Sequence, residues 1–258
     1  MDQRKKTYIY GIAAYILVCI TLYFADPSMK AYHATDFSAP FWYYITISGN
    51  FLPQIVIMIV LFIILFLINK SSQKRMISSA LIILVIAGAS ITSGAIANYF
   101  LKDLFHTSRP SHKVFLDDGF IPSGLDSFYL KNNLLRKEYL TEHVDPKDAK
   151  LSGLYGPDVN MWINEVGGSF PSGHSLNSFL IGTLFSYLLL LFLQKKYQYL
   201  CFVPLLWAML VSLSRYFVGV HEKIDIIGGA FIGLGLALLI IRLNVIGRIN
   251  SKFSIPQK

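Results

Sequence analysis

Residues 76–110 read MISSALIILVIAGASITSGAIANYFLKDLFHTSRP. No charged side chain occurs from Met76 to Leu101, and then Lys102, Asp103, His106 and Arg109 crowd into a few positions. An apolar run of that length reaches the ~20 residues a helix needs to cross a bilayer. Ionisable groups at the end of such a run are costly and mark function by default. The run decides the fold, and its polar end opens the search for a site.

The rest of the chain repeats the pattern. Hydrophobic residues make up 54% of it and charged residues 15%, and the mean hydropathy is +0.51. Six spans follow: Tyr8–Phe24, Phe51–Ile68, Met76–Leu101, Ser175–Leu193, Leu200–Phe217 and Ile224–Val245. The second has an earlier start near Phe41, with Ser48-Gly49-Asn50 and Pro53 breaking its first part; such breaks are tolerated where neighbouring helices satisfy the backbone. The expected fold is all-α, a six-helix polytopic membrane protein forming one domain over residues 1–258. Arg4, Lys5 and Lys6 before the first span resemble a signal-peptide start, but the apolar stretch is long and no A-x-A site follows, so an uncleaved anchor is expected. Cys19 and Cys201 each fall inside a span and form no CxxC pair, which supports neither a disulfide framework nor a zinc site.

The net charge of +8 suggests nucleic acid until its distribution is read. Arg4, Lys5 and Lys6 precede the first span, and Lys70, Lys74 and Arg75 lie between the second and third. Lys195 and Lys196 lie between the fourth and fifth, and Arg242, Arg248, Lys252 and Lys258 near the end. Basic residues collect in cytoplasmic segments. The excess is therefore a topology signal that puts both termini in the cytoplasm, and no nucleic-acid partner is expected. Most acidic residues instead sit in one polar segment, about 102–173, on the opposite side. Ser127 to His143 within it has helical spacing, with Phe128, Leu130, Leu134, Leu135, Tyr139 and Leu140 apolar. Its aromatic content suggests an ordered cap.

Three polar patches fall on that side: KDLFHTSRP (Lys102–Pro110), PSGH (Pro171–His174) and SRYFVGVHEKID (Ser214–Asp225). Lys102 and Arg109 lie about two helical turns apart, a compact charge and a planar fork that suit a phosphate; Pro110 disfavours helix at Arg109. Taken alone, two cations at a helix end read first as anchors to lipid head groups. Ser172 and Gly173 open an apolar helix, where exposed amides and the dipole form an anion site, and His174 there suits general acid work. An N-cap serine beside an interfacial histidine reads the same way. His221 and Asp225 are spaced i, i+4, so the carboxylate can hold one ring nitrogen and leave the other as a nucleophile; Arg215 adds a cation. A buried ion pair between helices is the plainer reading. Gly228, Gly229, Gly233 and Gly235 suit close helix packing. His33, His112 and His143 read as loop residues, and His106 occupies a variable position in the first patch.

Together the patches resemble the type 2 phosphatidic acid phosphatase superfamily, which includes vanadium haloperoxidases and bacterial lipid phosphatases. Its signatures, Lys-x6-Arg-Pro, Pro-Ser-Gly-His and Ser-Arg-x5-His-x3-Asp, stand here complete. The likeness covers about residues 76–245, and the long loop with FYLK (Phe128–Lys131) is similar to the phosphatidylglycerophosphate phosphatase B branch. The resemblance implies that His221 becomes a phosphohistidine with Asp225 orienting it, and that His174 protonates the leaving oxygen. It further implies that Lys102, Arg109, Ser172, Gly173 and Arg215 hold the phosphate, with no cofactor and no metal. The implied substrate is a phosphorylated lipid such as phosphatidylglycerophosphate, undecaprenyl diphosphate or phosphatidic acid. A lipid A phosphatase, a phosphotransferase or a transporter of a phosphorylated solute are the alternatives. A bacterial inner membrane with the site outside the cytoplasm is expected, without an obligate protein partner. Glu222-Lys223 replaces the aromatic-proline pair that follows the nucleophile in many relatives, and an acid there bears on the nucleophile's pKa and on substrate choice.

Overall fold

The computed structural model describes residues 2–26, 37–69 and 73–253; His33, Lys70 and Lys258 lie outside them. Among the described residues there are helices and no strand. The long helices are α1 (Gln3–Phe24), α2 (Ser38–Ser48), α3 (Phe51–Asn69), α4 (Gln73–Ile96), α10 (Gly173–Phe192), α11 (Phe202–Phe217) and α12 (Lys223–Arg242). Between α4 and α10 stand α5 (Lys102–Phe105), α6 (Pro110–Asp117), α7 (Gly124–Leu130), α8 (Asn133–His143) and α9 (Gly156–Asn164). A last helix, α13, covers Val245–Phe253. Five stretches are long and apolar enough to span a membrane, and α2 with α3, bent by 66° at their junction, makes a sixth if counted as one.

The helices are apolar on the outside. In α1, Thr7, Gly11, Ala14, Val18 and Leu22 are buried while Ile9, Ile12, Ile16, Leu17 and Ile20 are exposed. Large aliphatic side chains facing outward along whole helices, with small residues inward, suit hydrocarbon surroundings and close helix packing. The protein is an integral membrane protein. Helix α10 is the centre, buried almost all round, and it packs on α12 and α11 and touches α1, α3 and α4. Its approach to α12 depends on two glycines. A Cβ on Gly229 would collide with the Ser172 carbonyl, and one on Gly233 with the Leu176 carbonyl. Gly235, expected to join them, meets nothing within 4 Å and is not a packing glycine.

Helices α6 to α9 build a cap with its own core, including Phe115, Phe128, Leu140, Val159 and Trp162, which packs against Val218 and Val220. The Trp162 indole donates to the Val218 carbonyl at 2.8 Å. Two expectations change here. The helix expected over 127–143 is two helices: Asn132 is extended and caps α8 by accepting from the Leu135 amide at 3.0 Å. Of its apolar positions, Phe128 and Leu140 are buried but Leu130 and Leu134 are exposed. The helix carrying Lys102 also stops earlier than Arg109. It passes through a π-helical turn, Ala97–Leu101, and ends at Phe105, with His106 left-handed at φ 47°. Arg109 is extended and Pro110 is the first residue of α6, a position that suits proline because its missing N–H is not needed there.

Candidate active site

The three patches converge where α5, α10, α11 and α12 meet the cap. Backbone bonds tie them: Ser172 N donates to Asp225 O at 3.0 Å, and Ser169 N, just before the second patch, donates to Thr107 O of the first at 2.9 Å; within the third, His221 N donates to Arg215 O at 3.2 Å. Arg109, Ser172, Arg215, His221 and Asp225 are all buried. Lys102, beside Gly167 and Gly168, is partly buried and shares its surroundings with the charges of Arg109, Glu165, Arg215 and Asp225. Lys102 and Arg109 therefore do share a site, although no common helix face brings them together.

His221 sits in the tight turn between α11 and α12. Its Nδ1 lies 3.4 Å from Asp225 Oδ2 and 3.2 Å from the Ser169 hydroxyl. Ser169 in turn donates to Asp225 Oδ2 at 2.5 Å, and the Glu222 amide donates to the same oxygen at 2.8 Å. The other ring nitrogen, Nε2, is 3.4 Å from Arg109 Nη1. Burial pushes the His221 pKa well below its ordinary value, and the charges of Arg109, Arg215 and Lys102 push the same way. The imidazole is thus held neutral, as a nitrogen nucleophile requires. Glu222 forms a capping box with Asp225 at the start of α12 and pairs with exposed Lys113 at 3.5 Å. Its carboxylate is engaged by that cap and by Lys113.

Glu165, in the loop after α9, occupies the centre of the cations. Its two oxygens accept from Arg215 Nη2 at 2.6 and 2.5 Å, and one of them lies 2.8 Å from Arg109 Nη1. Burial would raise its pKa, but Arg215 and then Arg109 outweigh that and hold the carboxyl well below its usual range. A carboxylate gripped this way is an internal counterpart of two phosphate oxygens. Arg215 is fixed further by Thr46 Oγ1 at 2.8 Å, and Arg109 by the Gly167 and Val220 carbonyls at 2.9 and 3.1 Å. The Arg109 amide donates to the Tyr129 hydroxyl at 3.0 Å, which contacts His112 Nδ1 at 2.6 Å. His112 is therefore buried support for Arg109, not a loop residue, whereas His106 is exposed.

Ser172 caps α10, its hydroxyl meeting the Ser175 amide at 3.4 Å and the Ser175 hydroxyl at 3.1 Å. Gly173 has open space where a Cβ would stand, so an anion can approach the first-turn amides. His174 follows, with Nε2 2.7 Å from Asn50 Oδ1. Glu165, Ser169, Asn50 and Thr46 are the members that sequence reasoning missed.

Residues 80–246 match the profile of the PAP2 superfamily, well over half of the 258 residues. The chain belongs to the PAP2 superfamily. Among similar proteins, phosphatidylglycerophosphatase B of Bacillus subtilis (strain 168) is 37% identical over 87 residues, which is 33% of this chain and 43% of that protein. A bacitracin transport permease protein, BcrC, of Bacillus licheniformis is 39% identical over 85 residues, 33% of this chain and 38% of its own length. The chain thus spans about two fifths of the length of these curated relatives. The PAP2 match begins at residue 80, so Asn50 and Thr46 reach the site from outside it.

Proposed function

We propose that the protein is a PAP2 lipid phosphatase, a single domain of six spans whose site faces away from the cytoplasm. It removes the terminal phosphate of a membrane lipid. His221 Nε2 attacks phosphorus and the lipid oxygen leaves, taking a proton from His174. Water then attacks the phosphohistidine, gives its proton back to His174, and phosphate departs. Asp225 orients His221. Lys102, Arg109, Arg215 and the amides after Ser172 stabilise the charge that develops on the phosphoryl oxygens, an effect that often contributes more to catalysis than any other. Because those three cations supply the charge, the reaction is expected to proceed without a metal.

One observation carries this reading. The free nitrogen of His221 lies 3.4 Å from Arg109, and Arg109 and Arg215 together grip a carboxylate in the same pocket. A nucleophile and a bidentate anion clamp side by side suit phosphoryl transfer better than head-group anchoring. The likeness to phosphatidylglycerophosphatase B favours phosphatidylglycerophosphate among the candidate lipids; undecaprenyl diphosphate and phosphatidic acid are the others.

The test uses purified protein in mixed micelles with each lipid. Phosphate should be released with EDTA present, vanadate should block it, and rapid quench should trap phosphate on His221. Vanadate can adopt the five-coordinate shape of the transition state, and such analogues bind far more tightly than substrate. Label on another residue, or a requirement for added Mg2+, would overturn the mechanism. Detergent leaves no compartments, so a transporter of the phosphorylated solute would release nothing. A phosphotransferase would move the label to an added alcohol instead of to water.

A further inference from the structure

The break between α2 and α3 is more than a kink in a span. It is tied to the site at two places and to the body of α11 at a third. Thr46 Oγ1 accepts from Arg215 at 2.8 Å, Ser48 Oγ accepts from the Trp207 indole at 3.1 Å, and Asn50 Oδ1 meets His174 Nε2 at 2.7 Å. The break is also braced internally, since the buried Gln54 amide donates to the Gly49 carbonyl at 2.7 Å. Gly49 is where the His174 ring lies against the backbone. A Cβ there would stand 2.9 Å from His174 Cδ2 and 2.6 Å from Val211 Cγ1. One residue supplies room for the ring and the next supplies a partner for its nitrogen.

An amide oxygen accepts a proton and cannot give one. Asn50 Oδ1 therefore matches a His174 that carries its proton on Nε2, and it matches both charge states. In neutral His174 the Nε2–H is bonded and the Nδ1 lone pair is open. In the imidazolium the same Nε2–H bond persists and Nδ1 carries the second proton. Whichever group holds one ring nitrogen decides which nitrogen does the chemistry.

We infer that Asn50 is a positioning residue that confines the mobile proton of His174 to Nδ1. This rests on the reading of His174 as the leaving-group acid. The Nδ1 proton passes to the lipid oxygen as its bond to phosphorus breaks and the bond from His221 Nε2 to phosphorus forms. Water later returns a proton to Nδ1 as its oxygen attacks phosphorus and the bond from phosphorus to His221 Nε2 breaks, releasing phosphate. Nε2–H never leaves. The α2–α3 break is then a fourth part of the site, contributed from outside the three signatures.

The experiment compares Asn50→Ala, Asn50→Asp, Gly49→Ala and His174→Ala on two substrates, phosphatidylglycerophosphate and p-nitrophenyl phosphate. The lipid alkoxide is a poor leaving group and needs the proton, whereas nitrophenolate does not. General acid catalysis is typically worth ~10²–10⁴-fold. Asn50→Ala should lose activity on the lipid by at least roughly tenfold more than on the nitrophenyl ester, and Gly49→Ala should show the same split by displacing the ring. Asn50→Asp keeps an acceptor and should recover most of the lipid activity. If His174→Ala shows the split while Asn50→Ala and Gly49→Ala lose equally on both esters, Asn50 does not position the proton and the acid role of His174 stands. If His174→Ala itself shows no split, the acid role fails and the role of Asn50 falls with it. An inactive but folded Asn50→Asp would mean that the amide donates, reversing the tautomer.

Discussion

Arg215 holds Glu165 with both carboxylate oxygens on one guanidinium nitrogen, at 2.6 and 2.5 Å, in a pocket where the arginine has no solvent exposure. Three cations with no counter-charge would be expensive to bury, because stripping charges of water costs several kcal/mol each. Glu165 offsets that cost. It does so with the donors that the proposed mechanism assigns to phosphate, so on that reading acid and phosphate compete.

Glu165→Gln removes the competing charge and keeps the shape. Vanadate should bind the variant more tightly, by roughly tenfold or about 1.4 kcal/mol. Thermal stability in phosphate-free buffer should fall, and saturating vanadate should restore it, since ligand binding to the folded state stabilises by mass action. Inhibition constants and melting curves in detergent measure both. Weaker vanadate inhibition would show that Glu165 holds the arginines in place for phosphate instead of excluding it.

Ser169 stands between His221 and Asp225, the proposed nucleophile and its orienting acid, 3.2 Å from His221 Nδ1 and 2.5 Å from Asp225 Oδ2, while the direct contact is 3.4 Å. A hydrogen bond to a charged group is worth about 1.5–3 kcal/mol. Ser169→Ala should therefore cut kcat by roughly ten- to a hundredfold, equally on the lipid and on p-nitrophenyl phosphate, because the nucleophile serves both. Ser169→Thr keeps the hydroxyl and should recover. Unchanged phosphoenzyme formation in Ser169→Ala, followed by rapid quench, would mean that the direct His221–Asp225 contact suffices.

The signature residues were legible because each patch adjoins an apolar run, so the bundle has little choice over where they meet. The break at Ser48-Gly49-Asn50 was legible as a break, from its small and turn-forming residues. That Asn50 meets His174, 124 residues away, was not, because no local pattern encodes a contact between distant helices. Glu165 was one acid among many in the loop, with nothing in its spacing to set it apart. Pro110 read as the end of one helix and proved to start the next, since the same ring fits both places. Asn132 carried a capping signal that the apolar spacing around it concealed.

The basic residues predict which face is cytoplasmic. Single cysteines at Ser123, exposed before α7, and at Lys196, exposed between α10 and α11, are placed in a background without Cys19 and Cys201. A membrane-impermeant thiol reagent should label position 123 in intact cells, and position 196 only after lysis. The opposite pattern would invert the topology and make the substrate a lipid of the cytoplasmic leaflet.

Asp158 gives a prediction in pH. It lies on α9 with no exposure, and among the described residues neither carboxylate oxygen has a hydrogen-bond partner. Burial raises its pKa from 3.8 to about 8, against the pull of Arg215. Below about pH 4 both the folded and the unfolded chain hold the proton, so the group is neutral to stability. Between there and about pH 8 the unfolded chain has released it and the folded chain has not. Stability therefore falls as pH rises through that window, and it levels off above it. Asp158→Asn keeps the shape of the protonated acid and has no proton to lose. The melting temperature of Asp158→Asn should gain on that of the wild type steadily from pH 5 to pH 8 and change little beyond. A difference independent of pH, or a variant less stable than wild type at pH 8, would show that Asp158 is ionised in the fold and that Arg215 is its counterion.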